Sequence, residues 1–268
     1  MIDGKIAHRD FIKLSDRLMM SANMVTKGSR VADVGCDHAH TSIWLVKEGI
    51  AVNAIAMDVG EGPLSHAREN IALYGLEDKI TTRLSDGLEK LLPGEADSIV
   101  ISGMGGTLTT LILSANEAVL QSVKELILQP QSDIWMVRRF LREHGFVIAD
   151  EKMCIEDGKF YNSMKAVQAS EMNTSASAQS AVTVSFDTNF TTRAADYKEL
   201  CEQLADEYGQ LLLDRRDGVL KELLLILKGK NSRILDNIYK SAGEGAGEKR
   251  SFFENEKVLL EKALDYYQ

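Results

Sequence analysis

The sequence predicts an α/β protein with a doubly wound, mainly parallel β-sheet, followed by a helical C-terminal region. Three observations predict it. Between Val31 and about Val167, short apolar runs alternate with helical segments. Runs such as Ser98–Ser102 (SIVIS) are continuously apolar, which is typical of parallel strands buried on both faces. From about Arg193 onward, apolar residues recur at spacings of three and four, which predicts helices.

The elements of the first region follow one another as strand and helix. We expect strands at Ser29–Val34, Ala51–Asp58, Ile80–Leu84, Ser98–Ser102, Glu125–Gln129, Phe146–Glu151 and Phe160–Val167. We expect helices at Thr41–Gly49, Pro63–Tyr74, Thr107–Leu120 and Ile134–His144. Pro63 suits a first helical turn, and Gly75 suits the residue just past a helix end. Helical crossovers between strands imply a Rossmann-like sheet, which binds ligands beyond the carboxyl ends of its strands.

The C-terminal region has a different composition. Ser170–Ser185 is rich in Ser, Thr, Ala and Asn and is interpreted as a linker or exposed loop. Helices are predicted at Arg193–Leu213, Arg216–Leu227 and Ser251–Tyr267, with a turn at Ser241–Gly247 (SAGEGAG). Two long helices joined by such a turn predict an antiparallel hairpin. We therefore expect one domain over residues 1–168 and a helical, coiled-coil-like domain over residues 169–268.

Composition excludes several classes of protein. The formal net charge is −9, and both predicted domains are mildly acidic, so a polyanionic partner would need a local basic patch. Cys36, Cys154 and Cys201 lie far apart and form no C-x-x-C pair, which indicates neither a disulfide framework nor a metal site. We expect a cytoplasmic protein, since we find no apolar leader segment and no stretch of the ~18 apolar residues that a membrane span requires. The oligomeric state stays open, with a monomer as the default expectation.

The segment after the first strand, Val31–His40 (VADVGCDHAH), carries a candidate binding loop. Gly35 allows a tight turn and the close approach of a ligand. Either Asp33 or Asp37 can accept a hydrogen bond from an ammonium group, directly or through water. The alternative is an ordinary strand-to-helix turn in which Asp37 caps the helix.

Acidic residues follow the next two strands. Asp58 ends the second strand 23 residues beyond Gly35 (58 − 35), a spacing at which nucleotide-binding sheets carry the carboxylate that binds the ribose. The alternative is a solvent-exposed aspartate at a strand end. Asp86 of the segment Ser85–Gly87 can accept from the exocyclic amine of adenine, although an Asp-Gly pair also suits an ordinary turn.

Glycines and amides follow the fourth and fifth strands. Gly103, Gly105 and Gly106 leave the backbone accessible around Met104, although a flexible helix-entry loop is the alternative. Gln129 and Gln131 can each donate to and accept from a base edge, or can simply begin a loop. His38 and His40 are acid–base or metal candidates, but with no third ligand at a suitable spacing we expect no metal.

Several of these motifs occur in one order that resembles a known family. The segments are Leu14–Leu18 (LSDRL), Val31–His40, Gly62–Asn70 (GPLSHAREN), Ser85–Leu88 (SDGL), Ile101–Gly106 (ISGMGG), Leu126–Gln131 (LILQPQ) and Gly158–Lys165 (GKFYNSMK). Over about residues 10–235 they resemble the bacterial TrmK-like tRNA methyltransferases. That family methylates N1 of adenine 22 in the tRNA D-loop, and it joins a Rossmann-like class I methyltransferase domain to a helical, coiled-coil-like domain.

The resemblance implies S-adenosylmethionine as cofactor and tRNA as partner. It assigns the cofactor pocket to Arg17, Asp33, Gly35, Cys36, Asp37, His38, Asp58, Val59, Asp86, Gly87, Gly103, Met104, Gly105 and Gly106. Three positions depart from the family pattern. Residues 36–40 read Cys-Asp-His-Ala-His instead of S-D-H-A-Y, Asp58 replaces the usual Glu, and Gln131 replaces the Asn of Q-P-N.

A chemical hypothesis follows from the resemblance. Adenine N1 carries its own lone pair, so transfer needs alignment more than a strong general base. We expect Asp37 to stabilise the positive charge that develops on the base, with Gln129 and Gln131 positioning that base. The adenine must leave its stack to reach a buried methyl donor.

Two groups of basic residues can hold RNA. Lys5, Arg9, Lys13 and Arg17 recur every four residues, which predicts one basic stripe on a helix. Arg138, Arg139 and Arg142 form a second cluster, and contacts from either group to phosphates would be salt-dependent. Solvated helix faces are the alternative for both groups.

Three other functions stay open. The chain can be an S-adenosylmethionine-dependent enzyme acting on a protein or small molecule. It can be an NAD-dependent oxidoreductase, although no G-x-G-x-x-G follows the first strand. It can also be a non-catalytic RNA-binding protein that works through its C-terminal hairpin, whose role in RNA binding, dimerisation or stability the sequence leaves undecided.

Overall fold

The computed structural model describes residues 12–172, 194–240 and 246–268. The chain forms two compact units, Met1–Ala176 and Ser177–Gln268. The first unit contains the helices α1 (Asp16–Ala22), α2 (His40–Lys47), α3 (Glu61–Leu73), α4 (Gly106–Ser114), α5 (Glu117–Ser122), α6 (Ile134–Glu143) and α7 (Ala169–Met172). Its strands are β1 (Ser29–Val34), β2 (Ala51–Asp58), β3 (Ile80–Leu84), β4 (Ser98–Ser102), β5 (Glu125–Gln129), β6 (Phe146–Glu156) and β7 (Lys159–Gln168).

The seven strands form one sheet in the order β3-β2-β1-β4-β5-β7-β6. Strands β1 to β5 are parallel to one another, and β7 runs antiparallel to both β5 and β6. The order reverses between β1 and β4, because the chain first builds outward to β3 and then returns to the other side of β1. In such sheets the ligand crevice lies beyond the carboxyl ends of the strands at this reversal. The predicted doubly wound, mainly parallel sheet is confirmed.

Two apolar clusters cover the two faces of the central strands. Leu126 and Leu128 of β5 belong to one cluster, and Ile127 between them belongs to the other. All five residues of β5 are buried, which explains why its three central residues are all apolar rather than alternating with polar ones. Burial on both faces fixes the positions at which the central strands end, and therefore the positions of the loops that follow them.

Three elements of the first unit differ from the prediction. The helix expected over Thr107–Leu120 is two helices, because the Asn116 side chain accepts from the Val119 N–H at 3.2 Å and starts α5. The last two strands are longer than predicted. Asp157 and Gly158 both adopt positive φ and make a two-residue hairpin turn, so β6 continues to Glu156.

The second unit contains α8 (Ala194–Tyr208), α9 (Gln210–Asp214), α10 (Gly218–Lys240) and α11 (Ala246–Asp265). Gly209, with φ +82°, separates α8 from α9, where a single helix was predicted. Helix α10 is longer than predicted, and α11 begins within the segment predicted as a turn. The long pair runs antiparallel, since Tyr239 bonds to Glu254 near one end and Lys221 lies over the Tyr267 ring near the other.

Within the residues described, no helix is long and apolar enough to cross a membrane. The predicted linker Ser170–Ser185 lies mostly outside the described residues.

Candidate active site

The loop between β1 and α2 folds back onto the end of β2. The N–H groups of Gly35 and Cys36 both donate to the carbonyl of Met57, at 2.8 and 2.9 Å. Gly35 has φ +74°, and a Cβ there would overlap Cε of Met104. Both observations require glycine at this position.

Asp37 does not cap a helix. Helix α2 starts at His40, its N-cap residue is Ala39, and no side chain caps it. Asp37 adopts φ +49°, and its side chain is 76% exposed. The helix-cap alternative for Asp37 is therefore wrong, and its carboxylate lies open at the carboxyl edge of the sheet.

Two more carboxylates lie near this loop. Asp33 is 4% exposed and accepts from Ser42 Oγ at 2.7 Å. Its burial raises its pKa to about 6, and the charge of Asp58 adds to that increase. Asp58 accepts from the Gly60 N–H at 2.9 Å. Burial, followed by the charges of Asp33 and Asp58, also raises the pKa of the Cys36 thiol.

These carboxylates therefore create a local negative potential. Among the residues the structure describes, Asp33, Asp37 and Asp58 form no ion pair with lysine or arginine. A cationic ligand would relieve their repulsion, whereas a pyrophosphate would increase it. The edge beside β1 and β2 is suited to a positively charged ligand.

Three histidine rings lie against one another at the acidic loop. The ring centroids of His38 and His40 are 5.6 Å apart, and those of His38 and His66 are 5.1 Å apart. His38 Nε2 lies 3.5 Å from Asp37 Oδ1. Burial lowers the pKa of His40, with a further decrease from His38. Over the described part of the chain, no three His, Cys, Asp or Glu side chains are grouped to hold a metal ion.

The ends of β2 and β3 provide the remaining surface on this side. Val59 follows Asp58 and is 71% exposed, which is unusual for a valine next to a buried strand. The Asp86 carboxylate is exposed at the end of β3. Gly87 has φ +49°, and a Cβ there would lie 2.9 Å from the Ile112 side chain. Glycine at this position lets the turn that carries Asp86 pack against α4.

The loops after β4 and β5 are joined by backbone contacts. Gly103 donates to the Gln129 carbonyl at 3.1 Å, and Gln131 donates to the Met104 carbonyl at 2.8 Å. Gly106 donates to the Ser132 carbonyl at 2.8 Å, and a Cβ on Gly106 would overlap the Asp133 carbonyl. The glycines allow this close approach of the two backbones, so the loop is held in place rather than flexible.

Gln129 and Gln131 have different environments. Gln129 is 1% exposed. Its Oε1 accepts from Arg17 Nη1 at 2.9 Å, and its Nε2 donates to the Arg17 carbonyl at 2.6 Å and to Ser21 Oγ at 2.8 Å. An amide used in this way cannot also bind a base, so the prediction that Gln129 positions the base is wrong. Gln131 is exposed, and its Nε2 lies 3.6 Å from the position of a Cβ on Gly103.

Arg17 is fixed beside the Gly103 turn. Its Nη1 lies 3.8 Å from the position of a Cβ on Gly103. Glu156 accepts from the Arg17 backbone N–H at 3.0 Å and lies 3.6 Å from its Nε, and the Tyr161 ring lies 5.5 Å below its guanidinium. Glu156 was not predicted because β6 was expected to end at Glu151, and the Asp157-Gly158 turn was the signal that could have extended the strand. Tyr161 lies inside the predicted last strand, but its position alone did not identify it as a partner of Arg17.

The predicted RNA-binding residues do not form the two expected groups. Lys5 and Arg9 lie outside the described residues. Lys13 is exposed but precedes α1, which begins at Asp16, so the predicted helical stripe from Lys13 to Arg17 is wrong.

The second group is divided by its orientation on α6. Arg138 is 5% exposed and forms an ion pair with Glu151 at 2.8 Å, so it is not available to phosphate and that prediction is also wrong. Arg139 and Arg142 are exposed on α6.

The chain matches known methyltransferases in sequence. A family model described as "Methyltransferase domain" matches residues 14–164. A tRNA (adenine(22)-N(1))-methyltransferase of Bacillus subtilis is 38% identical over 155 residues, which cover 58% of this chain and 65% of the relative. The matched stretch thus spans less than two thirds of that relative.

Solved structures match over nearly the whole chain. The Bacillus subtilis m1A22 tRNA methyltransferase TrmK superposes with a TM-score of 0.78 at 28% identity, covering 95% of this chain and all of the other. A Streptococcus pneumoniae protein in complex with S-adenosyl-L-methionine gives a TM-score of 0.74 at 28% identity, covering 94% and 100% of the two chains. These similarities confirm the resemblance inferred from the ordered motifs.

Proposed function

Because the chain belongs to the methyltransferase domain family, we propose that it transfers a methyl group from S-adenosylmethionine to N1 of adenine 22 in tRNA, the reaction named for its Bacillus subtilis relative. The observation that carries the proposal is the convergence of two different surfaces at one sheet edge. Carboxylates follow β1 and β2, and an open, glycine-lined turn follows β4. Met104, which packs against Gly35, joins the two.

The residues of the acidic surface fit S-adenosylmethionine better than a dinucleotide. When bound, this cofactor supplies an electrophilic methyl group on a positively charged sulfur. Its ammonium and sulfonium groups would meet the carboxylates of Asp33, Asp37 and Asp58, which have no lysine or arginine partner among the described residues. The pyrophosphate of NAD would meet the same charges with the opposite sign.

We assign the pocket residues by their positions at the sheet edge. Asp58 has a carboxylate oxygen beyond the one that accepts from Gly60, and we propose that this carboxylate binds the ribose hydroxyls. Val59 offers an apolar contact to adenine, and Asp86 offers an acceptor for the adenine amine. Asp33 or Asp37 binds the ammonium group. Arg17, Gly35, Cys36, His38, Gly87 and the segment 103–106 complete the proposed wall.

The opposite surface suits a base that needs no deprotonation. Adenine N1 attacks with its own lone pair, so the protein contributes orientation and charge stabilisation. From the neighbouring acidic surface, the exposed carboxylate of Asp37 would stabilise the cationic methylated base. Gln131 is the amide that remains available to a base edge, since Gln129 is used inside the fold.

A methyl-transfer assay tests the proposed function directly. The purified chain is incubated with methyl-labelled S-adenosylmethionine and an unmodified tRNA transcript, and the nucleosides are then analysed. We expect 1-methyladenosine from this transcript and none from a matched transcript carrying guanine at position 22. Label in protein or small molecules but not in either transcript would contradict the proposal and favour a different methyl acceptor.

Thermal-shift titrations separate the cofactor classes. S-adenosylmethionine should raise the melting temperature with a concentration dependence that gives its Kd, whereas NAD should leave it unchanged. Stabilisation by NAD alone would contradict the assignment of the acidic surface.

Asp37→Asn tests the role of that carboxylate. We expect turnover to fall roughly tenfold or more, with the Kd for S-adenosylmethionine changed far less if Asp33 binds the ammonium group. Full turnover with unchanged cofactor affinity would exclude Asp37 from the reaction.

A further inference from the structure

Helix α6 presents one face that combines an aromatic ring with two arginines. Trp135, Arg139 and Arg142 follow one another at spacings of four and three, which places them on one side of a helix. Arg139 and Arg142 are exposed, and Trp135 is half-buried. Arg138 points away from this face into its buried ion pair with Glu151.

Trp135 and Arg139 form a pair within this face. The Arg139 guanidinium lies 4.9 Å from the centre of the Trp135 ring, within the range of a cation–π interaction. Pairing of this kind restricts a flexible side chain before any ligand arrives. The two side chains therefore present one composite surface rather than two independent ones.

The pair begins at the same sheet edge as the proposed base site. Trp135 follows Asp133 by two residues, and the Asp133 carbonyl packs against Gly106. The next residue, Met136, accepts a weak hydrogen bond from Thr107 of α4 at 3.6 Å. Along α6, Arg139 and Arg142 lie about 6 and 10 Å further from the edge than Trp135, at 1.5 Å per residue.

The chemistry of this face selects an unpaired nucleotide. Proteins that recognise single-stranded RNA stack its bases on aromatic rings and on arginine guanidinium groups, and arginine binds phosphate in a bidentate manner. A base that has left its stack also leaves each neighbouring base without one stacking contact, close to the site that receives it.

We propose that Trp135 and Arg139 stack on an unpaired nucleotide of tRNA that flanks the target adenine, and that Arg142 contacts an adjacent phosphate. This inference rests on the proposed function, because it takes the Gly103 turn as the place where the target base enters. It converts the predicted cluster of three arginines into a mixed aromatic and basic contact surface.

Tryptophan fluorescence tests the stacking directly, since Trp44 and Trp135 are the two tryptophans of the chain. Trp44→Phe leaves Trp135 as the sole reporter, and Trp135→Phe is the matched control that leaves Trp44. Each protein is titrated with the unmodified tRNA transcript while binding is followed independently by filter retention. We expect the fluorescence of the Trp44→Phe protein to be quenched on binding and that of the Trp135→Phe protein to stay nearly constant.

Steady-state kinetics give a second test. A purely structural role would change the KM for tRNA and the Kd for S-adenosylmethionine together, whereas an RNA contact changes the KM for tRNA alone. Trp135→Ala and Arg139→Gln should each raise the KM for tRNA roughly tenfold, with the Kd for S-adenosylmethionine unchanged. Arg142→Ala should lower the slope of log affinity against log salt by about one.

The outcomes separate this inference from the proposed function. If the unaltered protein methylates the transcript but bound tRNA leaves Trp135 fluorescence and the Arg139→Gln KM unchanged, the stacking proposal is overturned and the reaction stands. Such a result would leave the face to another occupant, such as a protein. If the unaltered protein methylates no tRNA, the proposed function fails first.

Discussion

The two halves of the carboxyl edge of the sheet differ in how their polar side chains are paired. The acidic half, after β1 and β2, holds Asp33, Asp37 and Asp58, whose charges the described residues leave without a lysine or arginine partner. The amide half, after β4 and β5, holds Gln129 and Arg17, whose polar groups are tied to each other.

The difference teaches where each half obtains its stability. Carboxylates that lie near one another without a lysine or arginine partner destabilise the fold, and a bound cation offsets this destabilisation. The amide half is satisfied by bonds within the fold and holds its shape before any ligand arrives. The acidic half is thus stabilised by a positively charged ligand. The amide half keeps its shape without one, and Gly103 and Gln131 form its exposed surface.

Removal of the ribose carboxylate should give the largest effect. Asp58→Ala should weaken S-adenosylmethionine binding roughly 100- to 1000-fold, because it removes charge-assisted hydrogen bonds to two hydroxyl groups. Isothermal titration calorimetry measures the Kd. Glu77→Ala, at an exposed turn before β3, is the control and should bind normally. A change of less than threefold in Asp58→Ala would show that the acidic half does not bind the cofactor through this residue.

Loss of the buried Gln129 side chain should mainly reduce the stability of the fold. Gln129→Ala should lower the free energy of unfolding by roughly 2–4 kcal/mol, because Arg17, Ser21 and Ser163 lose their shared partner. Urea denaturation monitored by circular dichroism measures it. Gln131→Ala is the matched control and should stay within about 0.5 kcal/mol of the parent. Equal effects of the two variants would break the contrast between a buried and an exposed glutamine.

The buried carboxylate of Asp33 should make the free energy of unfolding depend on pH. The pKa of Asp33 is about 6 in the fold against an ordinary 3.8, so the folded chain holds a proton that the unfolded chain releases between these values. Stability from this group is therefore highest below about pH 4, falls between pH 4 and 6, and stays low above pH 6.

Asp33→Asn should remove the decrease in stability between pH 4 and 6, because asparagine carries no titratable group. Above pH 6 we expect it to stabilise the fold by at most about 3 kcal/mol and to weaken cofactor binding, with little gain in stability near pH 4. Asp97→Asn is the opposite control, because its ion pair with Arg30 lowers the pKa of Asp97, so this variant should destabilise at neutral pH. Destabilisation by Asp33→Asn at pH 8 would contradict the electrostatic account.

Much of the fold follows from local sequence patterns. The bounds of β1 to β5 agree with the prediction. For β4 and β5, a continuous apolar run flanked by polar residues marks a strand buried on both faces. Helix breaks were harder to predict, because Asn116 and Gly209 each interrupt an otherwise helical pattern through one capping or backbone preference.

The candidate site was predictable by position but not by orientation. Strand ends mark the loops that carry Asp33, Asp58 and Gly103, and they can be located from the sequence. Whether a side chain points into the loop or into the fold depends on partners distant in the chain. Gln129 bonds to Ser163 and Arg138 pairs with Glu151, and neither partner follows from the spacing that drew attention to these residues.

The smallest effect should come from shortening the exposed side chain of Gln131. Gln131→Asn keeps one donor group and one acceptor on an exposed side chain but shortens it by one methylene. Since Asn is usual here in the resembling family, we expect turnover on the tRNA transcript to change by less than about fivefold, in either direction, with stability unchanged. The same shortening at Gln129 should lower the free energy of unfolding instead, because a buried amide cannot move to recover its four hydrogen bonds at once. If Gln131→Asn abolished turnover while Gln129→Asn left both turnover and stability intact, the assignment of the open surface to Gln131 would be reversed.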